Sequence, residues 1–503
     1  MEGAANGRDR ACIPRPRAAR PESDYEVPVS DRGIVARSFR GFARKRASIG
    51  HALIRIVLDP ALASDIVRQA LDSGATAAEC TLAAGEEFDV LVRMREIESL
   101  KDAGSQAAGL RVLLGKRVGS SYTSDLSAEG IRHLVRSAID IARISTEDPD
   151  AGLPEAEALG TLNADLSLYS DAVKDIDAEK RIHLALETEE AALSADPRIV
   201  NSEGASFGAY ESERVFANSL GFAGSYRTAS CSLSVTPVAK QNGSMERDYW
   251  FSNGRRPADL ETPEAIGRRA AERALRRLGA RKIPTQKAAV VFEPRTARSL
   301  LAHIFDAVDG DSIYRNASFL SEHMGRKVAS ERVTLIDDGT LPGGFGSSPF
   351  DDEGVLTRRT VVIERGVLKS WLLNSYAGRK LGLPTTGNAS RGIAGNAGIG
   401  HNNLFLENGE QTAEEITRSI RKGLYVTELI GSGINTVTGD YSRGAAGVWI
   451  ENGEFAYPVS EITIAANLLE MLLGISAVGS DLEFRGSTAS PTLVIEEMTI
   501  SGT

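Results

Sequence analysis

The side chains able to do chemistry are few and scattered. The six histidines are His51, His133, His183, His303, His323 and His401. A zinc peptidase needs two imidazoles on one helical face, with a glutamate beside them to activate the metal-bound water. No two of these histidines lie three to five residues apart. His303 has Asp306 one turn further on, so the two can share a flank of a helix. One imidazole and one carboxylate make a poor metal cage, and the plain reading is a solvated or hydrogen-bonded histidine at the edge of an amphipathic helix. Cys12, Cys80 and Cys231 form no C-x-x-C pair, which argues against a disulfide framework or a thiolate zinc site.

Other motifs fail on context. Gly204 to Gly208 matches G-x-S-x-G around Ser206, but such a serine is exposed only on a strand–turn–helix elbow. Here strand-like sequence continues on both sides. Gly109 and Gly115 bracket five residues ahead of Lys116, and Arg117 follows. A phosphate loop requires four, then a hydroxyl after the lysine. In TGDYSRGAAGVW (438–449), Asp440, Tyr441 and Arg443 are packed between glycines. They read either as an Asp–Arg pair supporting a bend, with the tyrosine presented to a ligand, or as a structural turn. Two long glycine-dense stretches, 339–354 and 382–400, read as functional or as flexible surface loops. Their bare backbone suits main-chain capture of a peptide.

The elements that must carry these residues are legible in part. Asp59-Pro60 is a helix start, cap followed by proline, with Leu62, Ile66, Val67, Ala70 and Leu71 as its apolar stripe and Gly74 as its stop. Residues 77–123 have strand character, with a hairpin around Gly115-Lys116. Ser127 caps a helix that buries Ile131, Leu134, Val135, Ala138 and Ala142. A further helix spans 178–195, residues 198–252 form an antiparallel meander, and Thr262-Pro263 opens a helix ending at Leu278-Gly279. Residues 279–287 read as a linker ahead of the strand 288–292. Pro294 starts a helix carrying Ala297, Leu300, Leu301, Ile304 and Val308. Thr412 and Glu415 form a capping box, and Asn452-Gly453 marks a tight hairpin. Strands and helices come in groups, which predicts an α+β fold of two domains, with mixed or antiparallel sheets flanked by helices. The expected divisions are a disordered basic extension over 1–56, an α+β domain over 57–283 and a second over 284–503.

Composition sets outer bounds. The chain has 503 residues, 42% hydrophobic and 25% charged, as in ordinary soluble proteins. Its net charge of −10 argues against nucleic-acid binding. Residues 1–50 go the other way, with 11 Lys and Arg against 6 Asp and Glu. No apolar run approaches the roughly 18–20 residues that span a bilayer, and no signal-peptide core stands near the start. Sparse cysteines suit a reducing compartment. The expectation is a cytoplasmic protein with no membrane and no nucleic-acid partner.

Several long stretches carry a resemblance. DSIYRNASFL (311–320), the run from SSPFDDEGVL to KLGL (347–383) and the run from YVTELIGSGINT to IAANL (425–468) are similar to the PmbA (TldE) branch of the TldD/PmbA family, once called modulators of DNA gyrase. NSEGASFG (201–208), VFANS (215–219) and ERDY (246–249) agree, and the resemblance runs from about Val57 to Gly502. It implies a subunit of a heterodimeric zinc-dependent peptidase that trims unfolded or extended peptides, matures some ribosomal peptides and degrades an antitoxin. In that family TldD subunits carry H-E-x-x-x-H on a helix and a cysteine near the C-terminus, and PmbA subunits lack them. Here the matching residues run from His303 to Val308: the first histidine is kept, Ile304 replaces the glutamate and Val308 the second histidine, and no cysteine follows Cys231. The resemblance therefore implies no catalytic residue and no metal in this chain, with zinc in a TldD-type partner. Partner- or peptide-binding candidates are His303, Asp306, Tyr314, Asp440, Tyr441 and Arg443. A self-paired dimer would use similar surfaces. Two other readings stand beside it: an independent hydrolase built around His303, Asp306 and Asp440, and a non-proteolytic regulator of toxin or gyrase systems.

Overall fold

The computed structural model describes residues 58–502, so the basic extension expected over 1–56 lies outside the described residues. Local chemistry sets the element boundaries. Asp59 caps helix α1 (Pro60–Asp72), its carboxylate accepting the Ala61 N–H at 2.8 Å. Ala63, Ile66, Val67 and Ala70 are its buried face. Leu71, expected on that stripe, lies at its edge and is exposed. Ser127 caps α2 (Ala128–Ile144), whose buried face includes all five residues expected from the spacing.

The first sheet is antiparallel and lies within residues 77–254. Its strands are β1 (Ala77–Arg93), β2 (Glu96–Leu114), β3 (Arg117–Thr123), β4 (Ile199–Asn218), β5 (Ala223–Gln241), β6 (Ser244–Arg247) and β7 (Trp250–Gly254). Their order is β3-β2-β1-β4-β5-β6, and β7 also pairs with β5. Gly115, at φ +62°, makes the expected turn between β2 and β3. Ser206 sits inside β4 with its hydroxyl 2.9 Å from that of Ser234, so no nucleophile elbow forms. Helices α1 and α2 share a core with β1 and β2. α3 (Ala178–Leu193) and α4 (Pro263–Leu275) pack at Ile199 and Ala239 of β4 and β5.

The remaining sheets lie within residues 286–501. β8 (Gln286–Phe292), β15 (Lys422–Asn435), β16 (Asp440–Glu451), β17 (Glu454–Asn467), β18 (Ile475–Val478) and β20 (Leu493–Ser501) run in the order β17-β16-β15-β8-β20-β18. An added β17–β20 pairing closes five of them into a ring. Only β15–β8 is parallel in this sheet. Asn452 and Gly453, both at positive φ, turn β16 into β17 as expected. A smaller sheet joins β9 (Leu335–Asp338), β10 (Arg359–Glu364), β11 (Val367–Leu368), β14 (Asn403–Leu406) and β19 (Thr488–Ala489), and β12 (Ala389–Ser390) pairs with β13 (Gly398–Ile399). Helices α5 (Pro294–Val308), α6 (Gly310–Tyr314), α7 (Ser375–Leu381), α8 (Ala413–Ser419) and α9 (Leu468–Leu473) complete this half. Thr412 and Glu415 form the expected capping box on α8. The fold is therefore α+β with mixed and antiparallel sheets, as the grouping of elements predicts. Among the described residues, no helix is long and apolar enough to cross a membrane.

Residues 58–502 make one compact unit, and buried charge joins the two groups of sheets. Glu79 on β1 binds Arg111 on β2 at 3.0 Å and also Arg391, from the glycine-rich stretch 382–400. Asp352, from the stretch 339–354, pairs with Arg214 on β4 at 2.8 Å. The two stretches expected to be functional or flexible surface loops are thus pinned against the first sheet. Gly109 makes one close approach possible: a Cβ there would lie 1.6 Å from the Ile393 carbonyl oxygen. Neither backbone can yield without breaking a ladder or the loop. Gly109→Ala is expected to destabilise the protein by about 3 kcal/mol, seen as a lowered midpoint in urea. An unchanged midpoint would mean that the loop is free to move away.

Candidate functional site

The site is built on α5. Pro294 occupies its first turn, where no N–H is needed. The preceding Glu293 does not cap the helix. Its carboxylate is held by Arg273 of α4, with Nη2 at 2.7 Å and Nη1 at 3.2 Å. Arg273 also reaches Asp248 at 3.1 Å. This buried network fixes the start of the helix from the side of the first sheet. Ala297, Leu300, Leu301, Ile304 and Val308 recur at helical spacing and face the core of the closed ring. That stripe decides which residues of the 303–308 segment look inward. Ile304 is 4% exposed and Val308 is fully buried.

His303 sits on the flank of this stripe. Its Nδ1 is 3.9 Å from the Asp306 carboxylate, which is largely exposed. Its Nε2 is buried with no partner among the described residues. The Tyr441 ring stands edge-on to the imidazole with centroids 6.1 Å apart. Arg443, two residues along β16 and so on the same face, donates to Ser299 Oγ, one turn before His303, at 3.4 Å. Arg443 Nε and the Tyr441 hydroxyl lack well-formed hydrogen bonds. Burial pushes the Tyr441 phenol up to about 12 despite the neighbouring Arg443 guanidinium, which pulls it down. The arrangement brings together an imidazole, a phenol and a guanidinium with unused donors and acceptors, the phenol on the core side. Ser299 was not singled out in the sequence; its place one turn before His303 was the available signal.

The other sequence candidates go elsewhere. Tyr441 is 1% exposed and turns into the core rather than towards a ligand at the surface. Asp440 points the opposite way, as alternation on a strand requires, and binds the Thr438 hydroxyl at 2.6 Å. The Asp440–Arg443 pair considered for this bend does not form, because Arg443 turns to Ser299. Tyr314 on α6 accepts from Arg315 at 3.1 Å and packs edge-on against Tyr376 of α7. Among the described residues, no three His, Cys, Asp or Glu side chains converge as a metal-holding group. With Ile304 and Val308 in the core, the residues at α5 do not fit a catalytic zinc.

Asp309 closes α5 and caps α6, accepting the Asp311 N–H at 2.8 Å. Burial, aided by the charges of Asp311 and Asp306, pushes its carboxyl up to about 6. An unfolded aspartate titrates near ~3.9. The folded state therefore holds an extra proton between these values, and this group costs stability as the pH rises through the folded pKa. Asparagine caps equally well. Asp309→Asn is expected to stabilise the protein by about 1 kcal/mol at pH 8, after discounting for partial exposure, with no gain near pH 4. Urea unfolding at both values checks it; a loss of stability at pH 8 would contradict the argument.

Comparison with known proteins follows the same lines. Residues 78–142 match PmbA/TldA metallopeptidase domain 1, residues 171–278 the central domain and residues 285–502 the C-terminal domain. The chain belongs to the PmbA/TldD metallopeptidase family. It is 40% identical over 425 residues to the metalloprotease PmbA of Escherichia coli O157:H7, covering 84% of this chain and 92% of that one. Among solved structures, a putative modulator of DNA gyrase from Bacteroides thetaiotaomicron superposes with a TM-score of 0.83 at 29% identity, covering 89% of this chain and 100% of the other. TldE from Thermococcus kodakarensis shares the fold, with a TM-score of 0.80 at 23% identity over 88% of this chain and all of that one. The family resemblance expected from the sequence is borne out. This PmbA/TldD member is a metalloprotease-like protein whose own α5 carries a single imidazole of the H-E-x-x-x-H pattern.

Proposed function

We propose that this chain is the non-catalytic, TldE-type subunit of a heterodimeric zinc metalloprotease that acts in the cytoplasm on unfolded or extended peptides. One observation carries the reading: Ile304 and Val308 occupy core positions of α5, so a water-activating carboxylate and a second imidazole have no place there. Zinc then belongs to a TldD-type partner. His303 and Arg443, at the flank of α5, would contribute polar groups to a peptide backbone, and the pinned glycine-rich stretches would shape the channel. Free, buried Cys80 and Cys231 accord with a reducing compartment.

The test is co-expression with a TldD-type chain followed by an assay on an unstructured peptide. Cleavage is expected to need both chains and to be abolished by chelation. Equal cleavage by the TldD-type chain alone would defeat the assignment. Zinc-dependent turnover by this chain alone would replace it with the independent hydrolase.

A further inference from the structure

A cavity of about 810 Å³ lies away from α5, beneath the glycine-rich stretch 339–354. Its walls include Tyr169, Tyr226, Arg227, Arg255, Arg256 and Phe345. Arg255 follows directly after β7 and is 9% exposed. Its guanidinium donates to three carbonyl oxygens: Nε to Gly343 at 3.2 Å, Nη1 to Ala229 at 3.2 Å and Nη2 to Gly344 at 2.7 Å. A guanidinium has five N–H donors, so one on each Nη remains without an acceptor among the described residues. Among the described residues, no carboxylate pairs with it. The lining carboxylate of Asp259 is taken by Arg256 at 2.8 Å, and that of Asp165, at the exposed rim, accepts the Ser167 N–H at 2.7 Å. Arg227 lies over the Tyr169 ring at 3.6 Å, and its carboxylate partner Glu211 is 3.6 Å away.

A nearly buried, permanently charged group with carbonyl partners but no counter-ion is uncommon, because buried charges are ordinarily paired. Burial alone lowers the Arg255 pKa, with no opposing acid. The Phe345 ring lies 4.9 Å from the guanidinium carbon and provides an aromatic wall beside the charge. Tyr169 and Tyr226 add two more rings. One uncompensated positive charge fits a monoanion better than a phosphate.

We propose that this cavity binds a carboxylate carried on an apolar or aromatic body, with the Arg255 guanidinium as its anchor and Phe345 and the tyrosines around the body. The fork of the guanidinium suits a carboxylate because it can offer two parallel donors. Two sources share this chemistry: the C-terminus of a peptide ending in an aromatic residue, and a free aromatic acid. The site stands independently of the partnership proposed above, since no residue of α5 lines it.

The test is calorimetric titration of the full chain with N-acetylphenylalanine, its amide, and an acetylated Ala-Ala-Phe free acid. The free acids are expected to bind saturably, roughly tenfold or more tightly than the amide, because a charge-assisted hydrogen bond is lost with the carboxylate. Affinity should fall with added salt. Tighter binding of the tripeptide identifies a peptide C-terminus as the source, and equal binding identifies a free acid. Arg255→Lys should weaken the acids roughly tenfold. Because Arg255 also holds the 343–344 backbone, Phe345→Ala serves as the second variant, with weaker acid binding and an unshifted urea midpoint. Amide binding as tight as that of the acid, absence of saturable acid binding at millimolar concentration, or unchanged affinity in both variants overturns the proposal.

Discussion

Replacing Arg391 with methionine is expected to destabilise the protein by about 4 kcal/mol at neutral pH. The side chain is 3% exposed and faces three acids from two segments. It binds Glu79 directly, receives charge from Asp352 and Glu353, and donates to the Asp352 carbonyl. Methionine fills much of the same volume, so the loss is electrostatic rather than a cavity. What remains is a set of buried carboxylates facing Arg111 and Arg214 alone. The pH dependence separates this cause from misfolding. In the parent, burial raises the Glu79 pKa, but Arg391 and Arg111 outweigh burial and leave it below its ordinary value. A depressed carboxylate contributes stability above its unfolded pKa, near ~4.3, that is lost as the pH falls through the folded value. Asp352 and Glu353 are raised, chiefly by burial, so each costs stability as the pH rises. Without Arg391 the Glu79 contribution reverses sign and joins theirs. The stability gap between parent and variant is therefore expected to be widest above pH 7 and to narrow towards pH 4. Guanidinium unfolding across that range measures it; a pH-independent gap would point to packing instead.

The same cluster shows where a linear reading stops. Asp59-Pro60, Ser127, Thr412 with Glu415, and Asn452-Gly453 announce their elements because capping and turn chemistry acts within four residues. The apolar spacing of α5 was equally plain, and with it the inward aim of Ile304 and Val308. What could not be read is pairing across long separations. Glu79 meets Arg391 only after the chain has folded back through two sheets, so the stretch containing Asp351, Asp352 and Glu353 looks like a soluble loop. Its glycines suggest mobility, whereas Gly109 and Gly346 admit close backbone contacts that hold the loops down. Closure of the ring by β17 and β20 is likewise invisible in either strand, since a pairing between residues 463–465 and 499–501 leaves no local signal. Tyr441 illustrates the local version of this limit. A tyrosine between glycines beside Asp440 and Arg443 reads as a surface feature, and only the register of β16 against β15 and β17 decides that it faces inward.

That inward aim also determines whether the missing metal motif can be restored. The double substitution Ile304→Glu, Val308→His is expected to cost about 5 kcal/mol or more and to leave the chain unable to fold cooperatively. Two terms add: loss of a buried apolar side chain at position 304, and burial of a carboxylate among Leu300, Leu301 and the ring residues with no cation beside it. The imidazole at 308 would replace a fully buried valine and bring its own polar atoms into the same apolar layer. Zinc could offset these costs only if three donors met at one point. His303 lies on the helix flank, 17% exposed, while positions 304 and 308 look into the core. The prediction is checked by circular dichroism melting and by zinc content after dialysis. A variant that melts near the parent and retains one zinc would show that the flank and the core stripe can rotate into a common site. Failure to fold would mean that loss of the motif has been absorbed into the packing of α5, beyond reversal by restoring the side chains.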